Sequence, residues 1–240
     1  MPLKTTAKRE RYVSTCNWTD IEHSLDTHGN ALLHGLLNAE QCEALAALYA
    51  KDDAYRSRVI MARHGFGRGE YKYFAYPLPP LIDQLRHELY RGLAPIANRW
   101  NQQLGIDVQY PDELDVFLQR CHDAGQIRPT PLMLHYTDGD YNCLHRDLYG
   151  EHVFPLQATI LLSKPGEDFT GGEFVMTGLS ARSQRVEVVP LQQGDAVVFT
   201  VNQRPEIGKH GFRKAAMRHG VSRLRSGERY TAGLIFHDAQ

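Results

Sequence analysis

The segment CLHRDLYGEH, residues 143–152, places a histidine and a carboxylate two positions apart, at His145 and Asp147. In an extended chain, residues i and i+2 point to the same side, so both side chains can reach one metal ion. A chain with 12 His and 28 acidic residues is expected to contain such a triplet by chance. The pair therefore predicts a metal site only if the rest of the chain supplies a third ligand.

The best candidate for that third ligand is His219, in the distant segment MRHGVS. Two histidines and one carboxylate form the facial triad of non-haem Fe(II) oxygenases, which leaves coordination positions open for a co-substrate and O₂. His210 competes with His219, but it lies in a Gly- and Lys-rich loop. The His237-Asp238 pair follows the last predicted strand, and we expect it to be structural.

A carboxylate anchor is predicted ten residues after His219, at Arg229, across the turn RLRSGER. A hairpin of that length is expected to return the chain beside His219. Arginine is always charged and its forked donors bind a carboxylate in two places. Thr231 faces the same side of the strand and can add a hydroxyl. Cys143 would share a face with His145, and we expect it to be a small buried residue.

The elements that must position these residues divide the chain into two regions. Helical spacing and caps appear in the first half, with Asn38 and Gln41 forming a capping box and a proline in the first turn of the helix predicted at 79–100. A third helix is predicted at 112–125. After about residue 130, short apolar and β-branched segments alternate with turn residues, which is typical of a jelly roll. The predicted strand segments are 130–136, 154–163, 171–177, 184–191, 195–201 and 229–238.

We therefore predict an α+β fold with a mainly β core, in which residues 129–240 form a jelly roll and residues 1–128 form a helical and strand extension packed on it. Residues 56–76, which contain three glycines in HGFGRGE, are a candidate substrate lid. The turns TDGD and QQGD resemble hairpin turns.

Composition narrows the class of protein. The chain has 240 residues, 42% hydrophobic and 23% charged, with a formal net charge of −1, which is ordinary for a globular protein. No apolar run approaches the roughly 18 residues of a membrane span. The polar, basic start of the chain lacks the apolar core of a secretory signal. The four cysteines are scattered, which favours reduced thiols and a cytoplasmic location.

Residues from about 130 to 238 resemble the 2-oxoglutarate, Fe(II)-dependent dioxygenase superfamily. Its pattern is His-x-Asp, a distant His, and an Arg or Lys about ten residues later. A tyrosine nine residues before the first His, here Tyr136, is frequent in the prolyl 4-hydroxylase-like and AlkB-like branches, where it helps to bind 2-oxoglutarate. The turn Gly171-Gly172-Glu173 resembles the Gly-Gly-acid turn of prolyl 4-hydroxylase-like members.

The resemblance implies a double-stranded β-helix, a jelly-roll variant. It also implies Fe(II) as the metal, 2-oxoglutarate and O₂ as co-substrates, and ascorbate as an accessory reductant. The residues implicated are His145, Asp147 and His219 for the metal, and Arg229, Tyr136 and Thr231 for 2-oxoglutarate. The substrate would be hydroxylated or oxidatively demethylated, with succinate and CO₂ as co-products.

The chain departs from both branches. Prolyl 4-hydroxylases typically use Lys where this chain has Arg229, and AlkB-type enzymes carry a second Arg at the position of Ile235 and an Asn at that of Leu134. The chain looks closer to a bacterial family of uncharacterised 2-oxoglutarate oxygenases for which action on damaged DNA has been suggested.

Two basic stretches favour a nucleic-acid substrate, either DNA or RNA. Residues 204–229 contain eight Lys or Arg against two Glu, and residues 56–72 contain five more against one Glu. Tyr71, Tyr73, Phe74 and Tyr76 in YKYFAY could stack on an extruded base. A solvated basic loop beside an ordinary aromatic strand explains the same residues. A protein (prolyl-type) or small-molecule hydroxylase, a non-catalytic jelly-roll metal- or ligand-binding module and a zinc hydrolase remain as alternatives.

Overall fold

The structure is a computed structural model that describes residues 12–14, 16–147, 150–179 and 184–240. The basic start of the chain, on which the argument against a secretory signal depends, lies almost entirely outside the described residues. No helix in the described ranges combines the length and apolar character that crossing a bilayer requires.

The described residues form four α-helices, and local sequence signals explain where two of them begin. The predicted capping box at Asn38 and Gln41 is present, and Pro80 occupies the first turn of the longest helix. The patterns above do not predict the first helix, although Asn17 caps it. The helices are α1 (Trp18–His28), α2 (Ala39–Ala47), α3 (Pro80–Leu104) and α4 (Leu114–Asp123), with short 3₁₀ turns at Leu48–Ala50, Asp52–Ala54 and Met61–His64.

Fifteen strands are formed within the same described ranges, and each of the six predicted strand segments overlaps at least one of them. The first four are β1 (Asn30–Leu33), β2 (Tyr55–Ile60), β3 (Gly67–Arg68) and β4 (Glu70–Phe74). The next six are β5 (Leu132–Tyr136), β6 (Tyr141–His145), β7 (Leu156–Leu161), β8 (Phe169–Gly171), β9 (Phe174–Leu179) and β10 (Gln184–Val189). The last five are β11 (Ala196–Thr200), β12 (Gln203–Gly208), β13 (Gly211–Val221), β14 (Leu224–Gly227) and β15 (Arg229–Leu234).

The strands assemble into two main antiparallel sheets that share one cavity. The larger sheet has the order β1-β11-β7-β15-β5-β4-β2, and the smaller has the order β10-β9-β13-β6-β3, with β12 added beside β13. A two-stranded unit, β14-β8, stands beside them. Residues of both main sheets line the same pocket. This arrangement confirms the predicted α+β, mainly β, jelly-roll fold.

The first half of the chain contributes more than a helical layer. Strands β1, β2 and β4 belong to the larger sheet, and β3 pairs with β6 of the smaller sheet. Residues 56–76, the candidate lid, therefore include strands of both sheets, and the turn between β2 and β4 carries Phe66 to the pocket. The predicted boundary at residue 128 separates segments that share one sheet.

The two turns predicted as hairpins instead connect the two sheets, so that prediction was wrong. TDGD (137–140) leads from β5 in the larger sheet to β6 in the smaller, and QQGD (192–195) leads from β10 back to β11. In each turn an aspartate, Asp140 or Asp195, accepts a backbone N–H three residues before it. This local hydrogen bond stabilises the turn and does not determine whether the flanking strands pair.

The hydrophobic core has two layers. The helices cover the outer face of the larger sheet, where Leu85, Leu89 and Leu93 of α3 pack in one cluster with strand residues such as Met133 and Leu234. A second cluster fills the space between the sheets. It includes Leu161, Phe174, Met176, Val197 and Phe199.

A buried polar network ties the end of the described chain to α3. The Asp238 carboxylate accepts hydrogen bonds from Arg86 at 2.8 Å and Tyr76 at 2.8 Å, and His122 lies 2.9 Å from it. The His237 ring is buried and accepts the Phe154 backbone N–H. The structural role predicted for His237 and Asp238 is confirmed.

Candidate metal centre and co-substrate pocket

The three predicted metal ligands converge on adjacent strands of the smaller sheet. His145 ends β6 and stands directly opposite His219 of β13, and Asp147 follows two residues after His145. The Nε2 atom of His145 lies 3.4 Å from Oδ1 of Asp147, and the Nε2 atom of His219 lies 3.4 Å from Oδ2 of the same carboxylate. One ligand atom from each residue lies within 4.8 Å of the others, and no other such cluster of three occurs among the residues that the structure describes.

The hydrogen bonds around His145 prepare it to bind a metal. Its Nδ1 lies 2.8 Å from the carbonyl oxygen of Cys143, so Nδ1 carries the proton and Nε2 keeps its lone pair directed at the cluster. Burial lowers the pKa of His145, and the neighbouring His219 lowers it further, against the opposing effect of Asp147. The imidazole is therefore neutral near pH 7, which is the form that ligates metal ions.

The position of His219 is set by aromatic packing. Its ring lies 4.6 Å from the ring of Phe199 and 6.1 Å from that of Phe174, and the side chain is almost fully buried. His210, the competing candidate, lies exposed in the tight turn between β12 and β13 and is outside the cluster.

The predicted anchor Arg229 lies in the same pocket as the triad, but on the facing sheet. It belongs to β15 of the larger sheet, directly opposite Tyr136 of β5, whereas His219 belongs to the smaller sheet. The prediction of a hairpin that brings Arg229 beside His219 was therefore wrong. The nine residues between them carry the chain from one sheet to the other through β14.

Arg229 is a buried cation whose charge is only partly compensated by the protein. It is 2% exposed, and its Nε and Nη1 atoms have no hydrogen-bond partner within the described part of the chain. Burial lowers its pKa to about 10, while Tyr136 and Glu173 act in the opposite direction. An added Cβ at Gly172 would stand 3.0 Å from the Arg229 Cδ atom, so the predicted Gly-Gly turn makes room for this side chain.

Tyr136 and Thr231 complete the polar end of the pocket. The Tyr136 ring is fully buried, and its hydroxyl also lacks a hydrogen-bond partner within the described residues. Burial raises the pKa of Tyr136, so its hydroxyl remains protonated and can donate. Thr231 is buried on the same face of β15, two residues from Arg229. These three side chains bring N–H and O–H donors to the lining of the pocket.

The pocket between the sheets has a volume of about 230 Å³ and largely apolar walls. Tyr71 and Tyr73 line it as predicted, and Phe66 reaches it from the turn before β3. The stacking role predicted for the other two aromatic residues was wrong, because strand alternation turns Phe74 into the helical core and Tyr76 bonds to Asp238.

Two further expectations need correction. Cys143 is exposed rather than buried. The register of β6 against β13 shifts between Asn142 and His145, so simple alternation does not place Cys143 on the face of His145. The basic stretch at 56–72 is partly neutralised, since three of its five cations pair with carboxylates and a fourth has neutral partners. Arg58 pairs with Glu70, Arg68 with Asp140 and Lys72 with Asp52, and Arg56 donates to the Pro129 carbonyl oxygen and lies over the Tyr73 ring.

The pocket also contains residues that sequence reasoning missed. Phe66, Asn142 and Gln157 line it, and none belongs to a recognisable motif. For Phe66 the sequence contains a weak indication of a role at the pocket, since the residue stands between two glycines of the candidate lid. Gln157 had none, because a single glutamine in an apolar strand segment does not reveal which sheet face it occupies.

Comparisons with known proteins agree with this geometry. A model of the Oxygenase-NA family, described as "Oxygenase, catalysing oxidative methylation of damaged DNA", matches residues 69–239. Two uncharacterised proteins of Mycobacterium tuberculosis, MT2286 and Rv2227, are each 50% identical over 167 residues, covering 69% of this chain and 72% of theirs.

Solved structures show the same fold at low identity. A prolyl-4-hydroxylase of Pseudomonas putida matches with a TM-score of 0.54 and 18% identity, over 93% of this chain and 99% of that chain. An oxidoreductase of the 2OG-Fe(II) oxygenase family from Burkholderia pseudomallei matches with a TM-score of 0.55 and 14% identity, over 94% and 93% of the two chains. The chain therefore belongs to the Oxygenase-NA family and is an oxygenase, an oxidoreductase that uses O₂.

Proposed function

We propose that this oxygenase removes methyl groups from damaged bases in nucleic acid by oxidising them. His145, Asp147 and His219 would hold Fe(II), and Arg229, Tyr136 and Thr231 would hold 2-oxoglutarate. The observation that carries the proposal is that one buried pocket contains both the triad and a guanidinium without a full complement of partners. A metal-binding module or a zinc hydrolase does not require a buried guanidinium that lacks partners.

The donor set suits Fe(II), because two neutral imidazoles and one carboxylate form the facial arrangement that this metal takes in oxygenases. When bound, Fe(II) supplies the activation of O₂ that allows a C–H bond of the substrate to be oxidised. The protein prepares the ligands: the Cys143 carbonyl oxygen orients His145, and aromatic rings fix His219. Apolar residues such as Leu134 and Val221 line the pocket beside the cluster.

Arg229 would bind the distal carboxylate of 2-oxoglutarate through charge-assisted hydrogen bonds. Its unpaired Nε and Nη1 atoms and the Tyr136 hydroxyl are donors, and a carboxylate is their natural acceptor. Arg229 and the triad line the same pocket, so a dicarboxylate bound at Arg229 would direct its other end toward the metal ligands.

Oxidation of one methyl group on a ring nitrogen would consume one molecule of O₂ and one molecule of 2-oxoglutarate. One oxygen atom of O₂ enters the methyl C–H bond and the other enters succinate, while 2-oxoglutarate loses CO₂. The methyl group and 2-oxoglutarate each lose two electrons, and O₂ gains four. The resulting N-hydroxymethyl group releases formaldehyde, and the nitrogen keeps the bonding electron pair. These co-reactants oxidise carbon and do not supply a methyl group, so we infer removal of methyl groups rather than their addition.

The support for a nucleic-acid substrate comes from the β12–β13 hairpin. Arg204 and Arg213 are both paired with Glu206, so about half of their charge is compensated. Lys209, Lys214 and Arg218 are exposed, and no carboxylate of the described residues forms an ion pair with them. Since β13 also carries His219, these cations follow the strand that leads to the triad.

The hairpin also exposes apolar surface. Ile207 and Phe212 face each other across it and are 78% and 47% exposed. Exposed apolar side chains flanked by cations suit a surface that meets bases and phosphates together.

The test is affinity for single-stranded DNA at about 50 and 200 mM salt. With about 0.7 counterions released per contact, three phosphate contacts make affinity fall by roughly twentyfold over that range. A variant with Lys209, Lys214 and Arg218 changed to Ala should lose that part of the salt dependence. The matched control removes three cations from the opposite, helical side, by changing Lys51, Arg91 and Arg120 to Ala. No binding at the lower salt, or equal loss in the control, would favour a protein or small-molecule hydroxylase.

A further inference from the structure

Gln157 is a buried polar residue that the proposed reaction does not use. It lies on the inner face of β7, lines the pocket, and is 4% exposed. Its Nε2 atom has no hydrogen-bond partner within the described part of the chain. A buried amide without a partner costs free energy, and buried polar groups are nearly always satisfied in proteins. A bound molecule is the natural candidate for the missing partner.

Strand register places Gln157 far from the carboxylate anchor. β15 pairs with β7 so that Thr231 is opposite Leu161 and Gly233 is opposite Thr159. Continuing that register puts Gln157 opposite Ile235, six residues beyond Arg229. At about 3.3 Å per residue along the strand, the backbone of Arg229 and the backbone at the level of Gln157 are roughly 20 Å apart. The Arg229 and Gln157 side chains therefore enter the pocket from different levels of the sheet.

Gln157 instead lies at the level of the metal triad. It pairs directly with Phe199 of β11, and the Phe199 ring is 4.6 Å from that of His219. Tyr73 and Phe66 line the same pocket with aromatic surface. The Gln157 carboxamide thus borders the part of the pocket that remains for the primary substrate.

The chemistry of a carboxamide narrows the choice of base. It offers a donor and an acceptor side by side, and it pairs with adenine through N6 and N7. An adenine methylated at N1 keeps that edge free while its methyl group points elsewhere. A cytosine methylated at N3 presents only the N4 donor on its remaining edge, where the C5–H adjoins it, so it can make only one of the two bonds.

We propose that Gln157 reads the base in the pocket and selects N1-methyladenine over N3-methylcytosine. This inference rests on the proposed function, since it requires a methylated base as the substrate. Gln157 is a specificity-determining residue in this view, and it is distinct from the proposed carboxylate anchor at Arg229.

The experiment compares short single-stranded oligonucleotides that carry one N1-methyladenine or one N3-methylcytosine. Affinity is measured with Mn(II) and 2-oxoglutarate present, and formaldehyde release is measured with Fe(II). The wild type should prefer the adenine substrate by about 10- to 100-fold. Gln157→Leu should lose that preference, mainly through weaker binding of the adenine substrate, with the affinity for 2-oxoglutarate unchanged. Gln157→Glu keeps the size but lacks the N–H donor for N7, and should lose the preference as well.

The matched control is Thr159→Val, on the same face of β7, whose hydroxyl already lies 3.4 Å from the Ala232 carbonyl oxygen. It should keep the preference for adenine. If Gln157→Leu and Gln157→Glu both retain the wild-type preference, or if the wild type shows none, the role of Gln157 is refuted while the action on methylated bases stands. If the wild type neither binds nor demethylates either oligonucleotide, yet still binds 2-oxoglutarate, the proposed function fails and the role of Gln157 fails with it.

Discussion

Replacing Arg229 with methionine should stabilise the ligand-free protein and abolish its response to 2-oxoglutarate. Burial lowers the pKa of Arg229 from an ordinary value of 12.5 to about 10. The guanidinium is charged at pH 7 in both the folded and the unfolded chain, so this lowered pKa is a cost of folding. At about 1.4 kcal/mol per pKa unit, the cost is roughly 3 kcal/mol. Methionine is unbranched and has no charge, so it removes that cost and fills much of the same space.

The measurement is thermal unfolding with Mn(II), with and without 2-oxoglutarate. For a domain of this size, 1 kcal/mol corresponds to about 2–4 °C in Tm, so a gain of several degrees is expected for Arg229→Met without ligand. Added 2-oxoglutarate should raise the Tm of the wild type by mass action. It should not do so for Arg229→Met, because charge-assisted bonds worth about 1.5–3 kcal/mol are lost.

Arg229→Lys provides the control, since it keeps the charge but loses the forked geometry. It should bind 2-oxoglutarate with an affinity between those of the wild type and Arg229→Met. The reasoning is refuted if Arg229→Met is less stable than the wild type without ligand and still gains stability from 2-oxoglutarate. That result would mean that another residue carries the anchor and that Arg229 contributes to the fold.

Three other predictions address the metal site, the core and the pocket mouth. His145→Ala should abolish Fe(II)-dependent succinate release with an unchanged circular dichroism spectrum; full activity with Zn(II) alone would contradict the oxygenase reaction. The pKa of buried His237 is lowered to about 4, chiefly by burial, so the unfolded chain binds the extra proton and stability should fall by about 3 kcal/mol as pH drops from 6.5 to 4. His237→Asn, which keeps an acceptor for the Phe154 N–H, should flatten that slope in urea titrations; an unchanged slope would point to another group. Gly67→Ala should destabilise the protein by at least about 1 kcal/mol, since Gly67 has φ +126° and an added Cβ would collide with the Tyr141 carbonyl oxygen; unaltered urea unfolding would show that β3 tolerates the change.

Sequence reasoning succeeded where the signal is local or where spacing follows from chemistry. The capping box at Asn38 depends on residues three apart, and strand alternation places His145 and Asp147 on one side without any knowledge of the fold. The order of the triad and Arg229 along the chain was sufficient to predict that they share a pocket. The co-substrate roles of Arg229, Tyr136 and Thr231 stay predictions, as does the division of the chain at residue 128.

The failures share a physical cause, which is that pairing between distant strands cannot be read from a turn. QQGD and TDGD have the composition of hairpin turns, yet both carry the chain between sheets. The turn after His219 was misjudged in the same way, so Arg229 was placed beside the histidine rather than opposite it. Exposure of Cys143 and burial of Phe74 likewise depend on which neighbour covers each strand face.

The position of β15 at the centre of the larger sheet has a consequence for synthesis of the protein. Its neighbours β7 and β5 are made earlier, and each belongs to a separate half of the sheet, β1-β11-β7 or β5-β4-β2. Until β15 has been synthesised, β7 and β5 each have a strand edge whose backbone N–H and C=O groups are unpaired. Such edges promote association with other chains. The strand that closes this gap also carries Arg229 and Thr231. A nascent chain therefore cannot acquire its proposed carboxylate anchor before the sheet is continuous, and we expect dependence on chaperones to be greatest during the synthesis of residues 201–228.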